Sequence, residues 1–179
     1  MNTCITRGYL EEQTKLHENP NYGVASLHFA PIVADIVKQT GCKSISDYGA
    51  GKRRLFDALK QLGLDDFTYF PYDPVFPEYG DPKPADLVCC IDVLEHIEPE
   101  LIDNVLVDLS IITTRFGFFS IHMGPAGKVL SDGRNAHLIQ KPSSWWLPKI
   151  SQHYEVLHLE SHNMMGIGMW LFVKSRIAE

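Results

Sequence analysis

The stretch ADLVCCID, residues 85–92, is apolar nearly throughout. A strand with one face in water alternates apolar and polar side chains, whereas a strand covered on both faces carries an unbroken apolar run. The stretch is also far shorter than the roughly 20 residues that a membrane span needs. It therefore predicts a central strand of a parallel sheet that has helices on both of its faces.

Segments of strand character alternate with segments of helical periodicity along the rest of the chain. The predicted strands are residues 43–48, 66–73, 85–92, 116–123, 154–161 and 168–175. The predicted helices are residues 24–41, 52–63, 99–112 and 142–151. This order favours a three-layer, Rossmann-like α/β sandwich with a mostly parallel sheet, in which the last two strands form an antiparallel pair.

The chain length and composition predict one domain over residues 1–179, with residues 1–23 as an N-terminal extension or a lid. A net charge of −6 argues against a broad electrostatic grip on nucleic-acid phosphates, so nucleic acid is not favoured as a partner. We expect a cytoplasmic protein, because no membrane span and no leader are evident. Four cysteines without metal-binding spacing are expected to be reduced thiols: Cys4, Cys42, Cys89 and Cys90.

The turn after the first predicted strand contains two glycines. Gly49 and Gly51 allow the backbone to approach a ligand that a Cβ atom would push away. Asp73 ends the next strand 22 residues after Gly51, near the spacing of about 20 at which a carboxylate accepts hydrogen bonds from ribose hydroxyls. Together these residues predict an adenosine site, although the glycines alone are also compatible with a plain tight turn.

The glycine turn and the apolar strand also carry two sequence motifs. DYGAG, residues 47–51, resembles motif I of class I S-adenosylmethionine-dependent methyltransferases, (D/E)xGxGxG, with Arg53 at the third glycine. ADLVCCIDVLEHI, residues 85–97, resembles that family's fourth strand and the turn after it. The resemblance implies S-adenosylmethionine as the cofactor. It implies these cofactor-binding residues: Asp47, Tyr48, Gly49, Ala50, Gly51, Asp73, Pro74, Asp92 and Val93.

One segment departs from the family's outline. Only PVFPEYGDPKP separates Asp73 from Ala85, and four of these 11 residues are proline. A parallel crossover takes about a dozen residues or more. We therefore expect the family's third strand and its helix to be missing or reduced to a loop. Asp81 and backbone groups of that loop are candidates to replace them at the adenine.

Three histidines fall on segments predicted at the ligand-binding edge of the sheet: His96, His122 and His137. Each is a candidate catalytic base for taking a proton from the acceptor, although a histidine in the VLEH turn often has no such role in this family. The polar loop 124–140 and the helix after it supply candidate substrate-binding residues: Arg134, Asn135 and Trp145. The alternative is that the tryptophans belong to the core and Arg134 to a solvated turn.

The resemblance favours methyl transfer to oxygen or nitrogen of a small, metabolite or sugar-like acceptor, by a monomer or homodimer. No metal ligand is assigned in this interpretation. Two alternatives remain open. Asp92-x-x-Glu95-His96, with the later His137, resembles the ExxEH and later histidine of metal-assisted small-RNA 2′-O-methyltransferases. The other is a non-catalytic module that binds S-adenosylmethionine. The basic run Lys52-Arg53-Arg54 has no assigned role.

Overall fold

The computed structural model describes residues 3–163 and 166–176. The strands are β1 Ser44–Tyr48, β2 Thr68–Tyr72, β3 Ala85–Ile91, β4 Thr113–His122, β5 Tyr154–His162 and β6 Gly168–Ser175. The helices are α1 Arg7–His17, α2 Ala25–Thr40, α3 Arg54–Gln61, α4 Ile102–Ile112 and α5 Ser143–Ile150. Within the described ranges, none of these helices has the length and apolarity to cross a bilayer.

The six strands form one sheet in the order β2-β1-β3-β4-β6-β5. Strands β1 to β4 run parallel, whereas β6 is antiparallel to both β4 and β5. Between β2 and β3 the described chain forms only a short 3₁₀ turn, Pro77–Tyr79. The structure thus confirms the mostly parallel sheet, its antiparallel C-terminal pair and the absence of the family's third strand and helix.

Strand β3 shows why the sheet needs helices on both faces. Leu87 and Cys89 pack against α2 and α3, whereas Val88 and Cys90 pack against α4 and α5. The adjacent cysteines therefore point to opposite faces, and burial raises the pKa of both thiols well above its usual value. All four cysteines of the chain are reduced thiols. Cys89 and Cys90 serve as small apolar core residues.

An additional helix, α1, lies in the segment that the sequence marked as an extension or a lid. Thr6 caps it, because its hydroxyl accepts a hydrogen bond of 3.3 Å from the Tyr9 N–H. The Glu98 carboxylate accepts from the Thr6 N–H at 2.8 Å and from its hydroxyl at 2.7 Å. Farther along α1, Glu12 accepts from the Ser131 N–H at 2.8 Å. These bonds anchor α1 to the segments that follow β3 and β4.

Candidate active site

A cavity of about 370 Å³ lies between α1 and the turns that follow β1, β2 and β3. This volume lies in the range of small-molecule sites. It is lined by all nine residues that the family resemblance implied for the cofactor: Asp47, Tyr48, Gly49, Ala50, Gly51, Asp73, Pro74, Asp92 and Val93. The three candidate catalytic histidines, His96, His122 and His137, line the same cavity. The structure thus brings both predicted sets together.

The glycine turn is shaped by contacts with the neighbouring turns. Gly49 has φ +82°, and a Cβ atom there would overlap the side chain of Val93. The Gly49 and Ala50 N–H groups donate to the Tyr72 carbonyl at 2.8 and 2.9 Å. Gly51, with φ +47°, lies against His17, whose Cε1 would be 3.3 Å from an added Cβ. Gly49 is therefore required by backbone conformation and by packing, in addition to any ligand approach.

Asp73 lies at the end of β2, facing the glycine turn. Its Oδ2 accepts from the Gly51 N–H at 2.9 Å, and its Oδ1 accepts from the Val75 N–H at 2.9 Å. Burial raises the pKa of this carboxyl, and the two backbone donors and nearby His17 oppose that rise. Each carboxylate oxygen has a further lone pair. The residue therefore fits the role of accepting hydrogen bonds from a ribose.

Asp47, the acid of the glycine motif, is almost fully buried at the end of β1. Its side chain accepts a hydrogen bond from the Tyr69 hydroxyl. Burial raises the pKa of Asp47 to about 7, and the hydrogen bond from Tyr69 opposes that rise. A carboxyl with this pKa is poised to ionise when a cation approaches, as the ammonium group of an amino acid would.

The 74–84 loop takes the place of the missing strand. Its aromatic residues Phe76 and Tyr79 stack with ring centroids 5.3 Å apart, and the Tyr79 hydroxyl donates to the Gly51 carbonyl at 3.0 Å. Pro74 and Val75 line the cavity. Asp81, the candidate for the adenine, is not among the described lining residues. This end of the cavity is therefore bounded by apolar side chains and backbone.

The three histidines come from three segments and meet at the other end of the cavity. The His137 ring centroid lies 4.7 Å from that of His96 and 4.7 Å from that of His122. His96 Nδ1 lies 2.8 Å from the Ala136 carbonyl, and His137 Nδ1 lies 2.7 Å from the Gly124 carbonyl. Burial lowers the pKa of His96 to about 3 and also lowers that of His137. Both rings are therefore neutral near pH 7.

Arg134 and Asn135 are not among the described lining residues. Their side chains contact the loop that carries them, and the Arg134 guanidinium carbon also lies 5.5 Å from the ring centroid of Tyr9, a cavity-wall residue of α1. Arg134 forms an ion pair of 2.6 Å with Asp132. Asn135 accepts from the Ala126 N–H and donates to the Ala126 carbonyl, both at 2.9 Å. These contacts fold the 124–140 loop so that His137 reaches the cavity.

The tryptophans of α5 also lie away from the described cavity lining. Trp146 is fully buried, and its Nε1 donates to the Lys141 carbonyl at 3.1 Å. Trp145 packs against the edge of the same core, with the Lys149 ammonium 5.1 Å from its ring centroid. For these residues the structure agrees with the core alternative rather than the predicted pocket wall.

The basic run after the glycine turn holds the segment that covers it. The Lys52 ammonium donates to the Asn19 carbonyl at 3.0 Å, and the Arg54 guanidinium donates to the Pro20 carbonyl. Arg53 points elsewhere, with its guanidinium carbon 5.8 Å from the centroid of an aromatic ring in the 74–84 loop. The run thus binds chain segments on either side of the cavity.

The sequence analysis allowed residues 1–23 to form a lid but named none of the cavity-wall residues that α1 and the following segment provide. This wall contains Tyr9, Gln13, His17 and Tyr22. Gln13 Nε2 donates to the Tyr9 hydroxyl at 2.5 Å, and the His17 ring packs edge-on against Tyr22 at 4.9 Å. Tyr9, Gln13 and His17 recur every four residues, which is the spacing of one helix face. That spacing was the available signal.

Solved structures that share this fold include the following three. The 1,6-didemethyltoxoflavin-N1-methyltransferase of Burkholderia thailandensis, with S-adenosylhomocysteine bound, is 13% identical, with a TM-score of 0.63 over 98% of this chain and 92% of that one. The N-methyltransferase NodS of Bradyrhizobium japonicum WM9, also with S-adenosylhomocysteine, is 6% identical, with a TM-score of 0.60 over 94% and 98%. The magnesium protoporphyrin IX methyltransferase of Synechocystis PCC 6803 is 14% identical, with a TM-score of 0.57 over 94% of each chain.

No protein-family model matches the sequence, and no curated protein matches it either. The structural similarities therefore establish the fold alone. The chain has the fold of class I S-adenosylmethionine-dependent methyltransferases, with one strand and one helix fewer between β2 and β3.

Proposed function

We propose that this protein is an enzyme that uses S-adenosylmethionine to methylate an oxygen or nitrogen atom of a small acceptor. One observation carries the proposal: a single cavity is lined both by the residues expected to hold the cofactor and by three histidines. The structural neighbours support it, since those from Burkholderia and Bradyrhizobium were solved with S-adenosylhomocysteine.

The cofactor side would be divided among four elements. Asp73 accepts the ribose hydroxyls, because its carboxylate retains lone pairs beside the bonds from Gly51 and Val75. Asp47 lies where it would bind the amino-acid end. Pro74 and Val75 present apolar contacts to the adenine, and Val93 packs beneath the glycine turn.

The bound cofactor supplies an electrophilic methyl group on a positively charged sulfur. The chain's own task is to orient an acceptor in line with that group, to exclude water and, for a hydroxyl, to take the proton. A neutral imidazole can take that proton, although a pKa of about 3 makes His96 a weak base. The buried pair Tyr9 and Gln13 would orient the acceptor from the α1 side through the tyrosine hydroxyl and the amide.

The proposal includes a single domain, with α1 and the residues after it as the cover of the cavity. It also keeps the cytoplasmic location, which the four reduced cysteines support. A small acceptor is favoured over nucleic acid because the chain carries a net charge of −6 and the cavity has the volume of a small-molecule site.

The first test is calorimetric titration of the full chain with S-adenosylhomocysteine and, in parallel, with NAD⁺. The proposal expects binding of S-adenosylhomocysteine in the micromolar range and no binding of NAD⁺. Binding of neither ligand would overturn it, since the glycine turn would then be a structural feature only. Binding of NAD⁺ in preference would assign the cavity to dinucleotide chemistry.

A second assay separates the enzyme from its two alternatives. Radiolabelled S-adenosylmethionine is incubated with a panel of small phenols, sugars, hydroxy acids and amines, and with single-stranded RNA. Transfer to a small molecule supports the proposal. Transfer to RNA ends alone would establish the 2′-O-methyltransferase alternative. Cofactor binding without any transfer, with the divalent ions Mg²⁺, Mn²⁺ and Zn²⁺ each supplied, would favour the non-catalytic module.

A further inference from the structure

Three side chains beside the cavity form a compact cluster of metal-ligating groups. Glu95 and His96 belong to the 3₁₀ turn after β3, and His137 comes from the 124–140 loop. One ligand atom of each residue lies within 4.8 Å of the corresponding atoms of the other two. Both histidines line the cavity, whereas Glu95 is fully buried next to them. The cluster therefore borders the space in which an acceptor would lie.

Glu95 presents a buried oxygen that the described residues do not satisfy. Its Oε1 accepts from the His122 N–H at 2.8 Å, while its Oε2 has no hydrogen-bond partner in the described part of the chain. Buried polar atoms nearly always have a partner, and a buried carboxylate is stable only when it is paired or coordinates a metal. The Glu95 oxygen thus calls for a cation or a donor at this place.

The hydrogen bonds of the two histidines leave one nitrogen of each available. A carbonyl oxygen only accepts, so the Nδ1 atoms that face Ala136 and Gly124 carry the protons. With the proton of a neutral imidazole on Nδ1, Nε2 of each ring has the lone pair that a metal ion binds. A histidine that donates one ring N–H to a carbonyl and offers the other nitrogen has the arrangement of most metal-bound histidines.

We propose that Glu95, His96 and His137 bind one divalent ion of the first transition series, such as Zn²⁺ or Mn²⁺. Two imidazoles with one carboxylate favour such ions over Mg²⁺ and Ca²⁺, which prefer oxygen ligands. Ligand atoms around a tetrahedral ion stand roughly 3.4 Å apart for bonds of about 2.1 Å. A modest inward rotation of these side chains closes the site.

The acid that opens the Asp92-x-x-Glu95-His96 pattern is not part of this cluster. Asp92 Oδ1 accepts from the Ser120 hydroxyl at 2.5 Å, and the metal-ligating group found in the described residues does not include it. The protein therefore supplies three ligands and leaves the remaining coordination positions open. An open position is the feature that separates catalytic from structural zinc sites.

If the proposed function holds, the position of the metal site beside the cavity also determines which kind of acceptor fits. The open positions take an acceptor with two neighbouring oxygens, such as a vicinal diol or a hydroxyl next to a carbonyl. The ion lowers the pKa of the bound hydroxyl, which makes it a better nucleophile for a methyl group. His122, 4.7 Å from His137 between ring centroids, is then the histidine that receives the proton. The acceptor atom is accordingly oxygen rather than nitrogen.

The test is titration of the metal-stripped full chain with Co²⁺ and Zn²⁺, each alone, with visible absorption and calorimetry as readouts. We expect one ion per chain, visible absorption bands for Co²⁺, and at least tenfold weaker binding of Mg²⁺. Glu95→Gln keeps the side-chain shape, and His137→Asn keeps a donor for Gly124. Each should weaken Co²⁺ binding by at least tenfold. His28→Asn, on the exposed face of α2, is the matched control and should bind as the wild type does.

The inference fails if the wild-type chain binds no ion below about 100 µM, or if both variants bind Co²⁺ as tightly as His28→Asn does. If Glu95→Gln does not fold, His137→Asn provides the same comparison. Acetohydroxamate, a bidentate oxygen ligand, should change the Co²⁺ spectrum of the wild type. An unchanged spectrum would mean that the bound ion has no open coordination positions.

Titration of the same samples with S-adenosylhomocysteine keeps the two proposals distinguishable. Cofactor binding without metal binding leaves the methyltransferase proposal standing and overturns the metal site. Metal binding without cofactor binding retains the metal site and overturns the acceptor assignment. Glu95→Gln should retain cofactor affinity within about threefold, because Glu95 is absent from the cavity lining among the described residues.

Discussion

The two ends of the cavity are built in different ways. The end with the residues predicted to hold the cofactor joins the turns after β1 and β2 through backbone N–H groups, which donate from Gly51 to the Asp73 carboxylate and from Gly49 to the Tyr72 carbonyl. The histidine end joins the turn after β3, the end of β4 and the 124–140 loop, and ring nitrogens of His96 and His137 that face backbone carbonyls set its geometry. The first end therefore depends on backbone shape, and the second depends on side-chain chemistry.

At both ends of the cavity, burial favours the neutral form of the titratable groups. It raises the pKa of Asp47 to about 7 and lowers the pKa of His96 to about 3, so each group is biased towards its neutral form. A bound cation would reverse this bias at Asp47, and a bound metal would use the neutral histidine directly.

The largest expected effect comes from Gly49→Val, which distorts the backbone end. The left-handed φ of +82° and the overlap with Val93 together should lower stability by about 2 to 4 kcal/mol and abolish detectable binding of S-adenosylhomocysteine. Gly63→Val is the matched control, because Gly63 has φ +79° with nothing within 4 Å of an added Cβ. It should lose only about 1 to 2 kcal/mol and keep its affinity. Thermal unfolding and calorimetry measure both, and equal effects would remove the packing argument.

The fold was predictable because its signals are local. The apolar run of β3 required cover on both faces, Gly41 ends α2 in the left-handed conformation, and the short Asp73–Ala85 connection excluded another strand. Helix α1 was not predicted, because its residues are mostly polar and its stability depends on long-range hydrogen bonds, which Thr6 donates to Glu98 and Ser131 donates to Glu12. A local sequence pattern does not indicate hydrogen bonds between residues so far apart in the chain.

The same contrast divides the site. The nine residues predicted to hold the cofactor were chosen from a contiguous motif and from strand ends, and all of them line the cavity. Three residues that the sequence predicted to bind substrate, Arg134, Asn135 and Trp145, are not among the described lining residues. A polar side chain in a loop serves the loop's own backbone as readily as a ligand. Arg134 pairs with Asp132 and lies over the Tyr9 ring, and both contacts depend on how the loop folds, which no local sequence pattern indicates.

The second effect comes from Asp73→Ala, which removes a side chain from the backbone end. The change deletes the expected ribose acceptor and leaves the Gly51 and Val75 N–H groups without their partner. Affinity for S-adenosylhomocysteine should fall by about 1 to 3 kcal/mol in calorimetric titration. Asp81→Ala, in the neighbouring loop but outside the described lining, should leave affinity unchanged. If Asp81→Ala lowers this affinity and Asp73→Ala does not, the ribose is not bound by Asp73.

A smaller effect is expected from the ionisation of Asp47, which lies at the same end of the cavity as Asp73. Because the pKa of Asp47 is raised to about 7, its carboxyl is mostly protonated at pH 6 and mostly ionised at pH 8. Only the ionised form pairs with the ammonium of the ligand, so affinity for S-adenosylhomocysteine should rise roughly tenfold over that interval. Asp47→Asn should bind weakly and lose most of this slope. Any slope that remains belongs to Asp73, whose pKa is also raised by burial. An undiminished slope would exclude Asp47 as its source.

The smallest effect concerns the cover that joins the two ends. Lys52 and Arg54 donate to carbonyls of Asn19 and Pro20, so the double variant Lys52→Ala/Arg54→Ala should loosen the segment between α1 and α2. Basic residues near the start of a helix oppose its macrodipole, so their benefit comes from these bonds rather than from α3. Since each exposed bond contributes about 0.5 kcal/mol, stopped-flow displacement should show S-adenosylhomocysteine leaving about two- to fivefold faster. Arg53→Ala is the control, because Arg53 contacts the other wall. If Arg53→Ala speeds ligand release equally, the positive charge of the run retains the ligand, rather than its hydrogen bonds to the segment between α1 and α2.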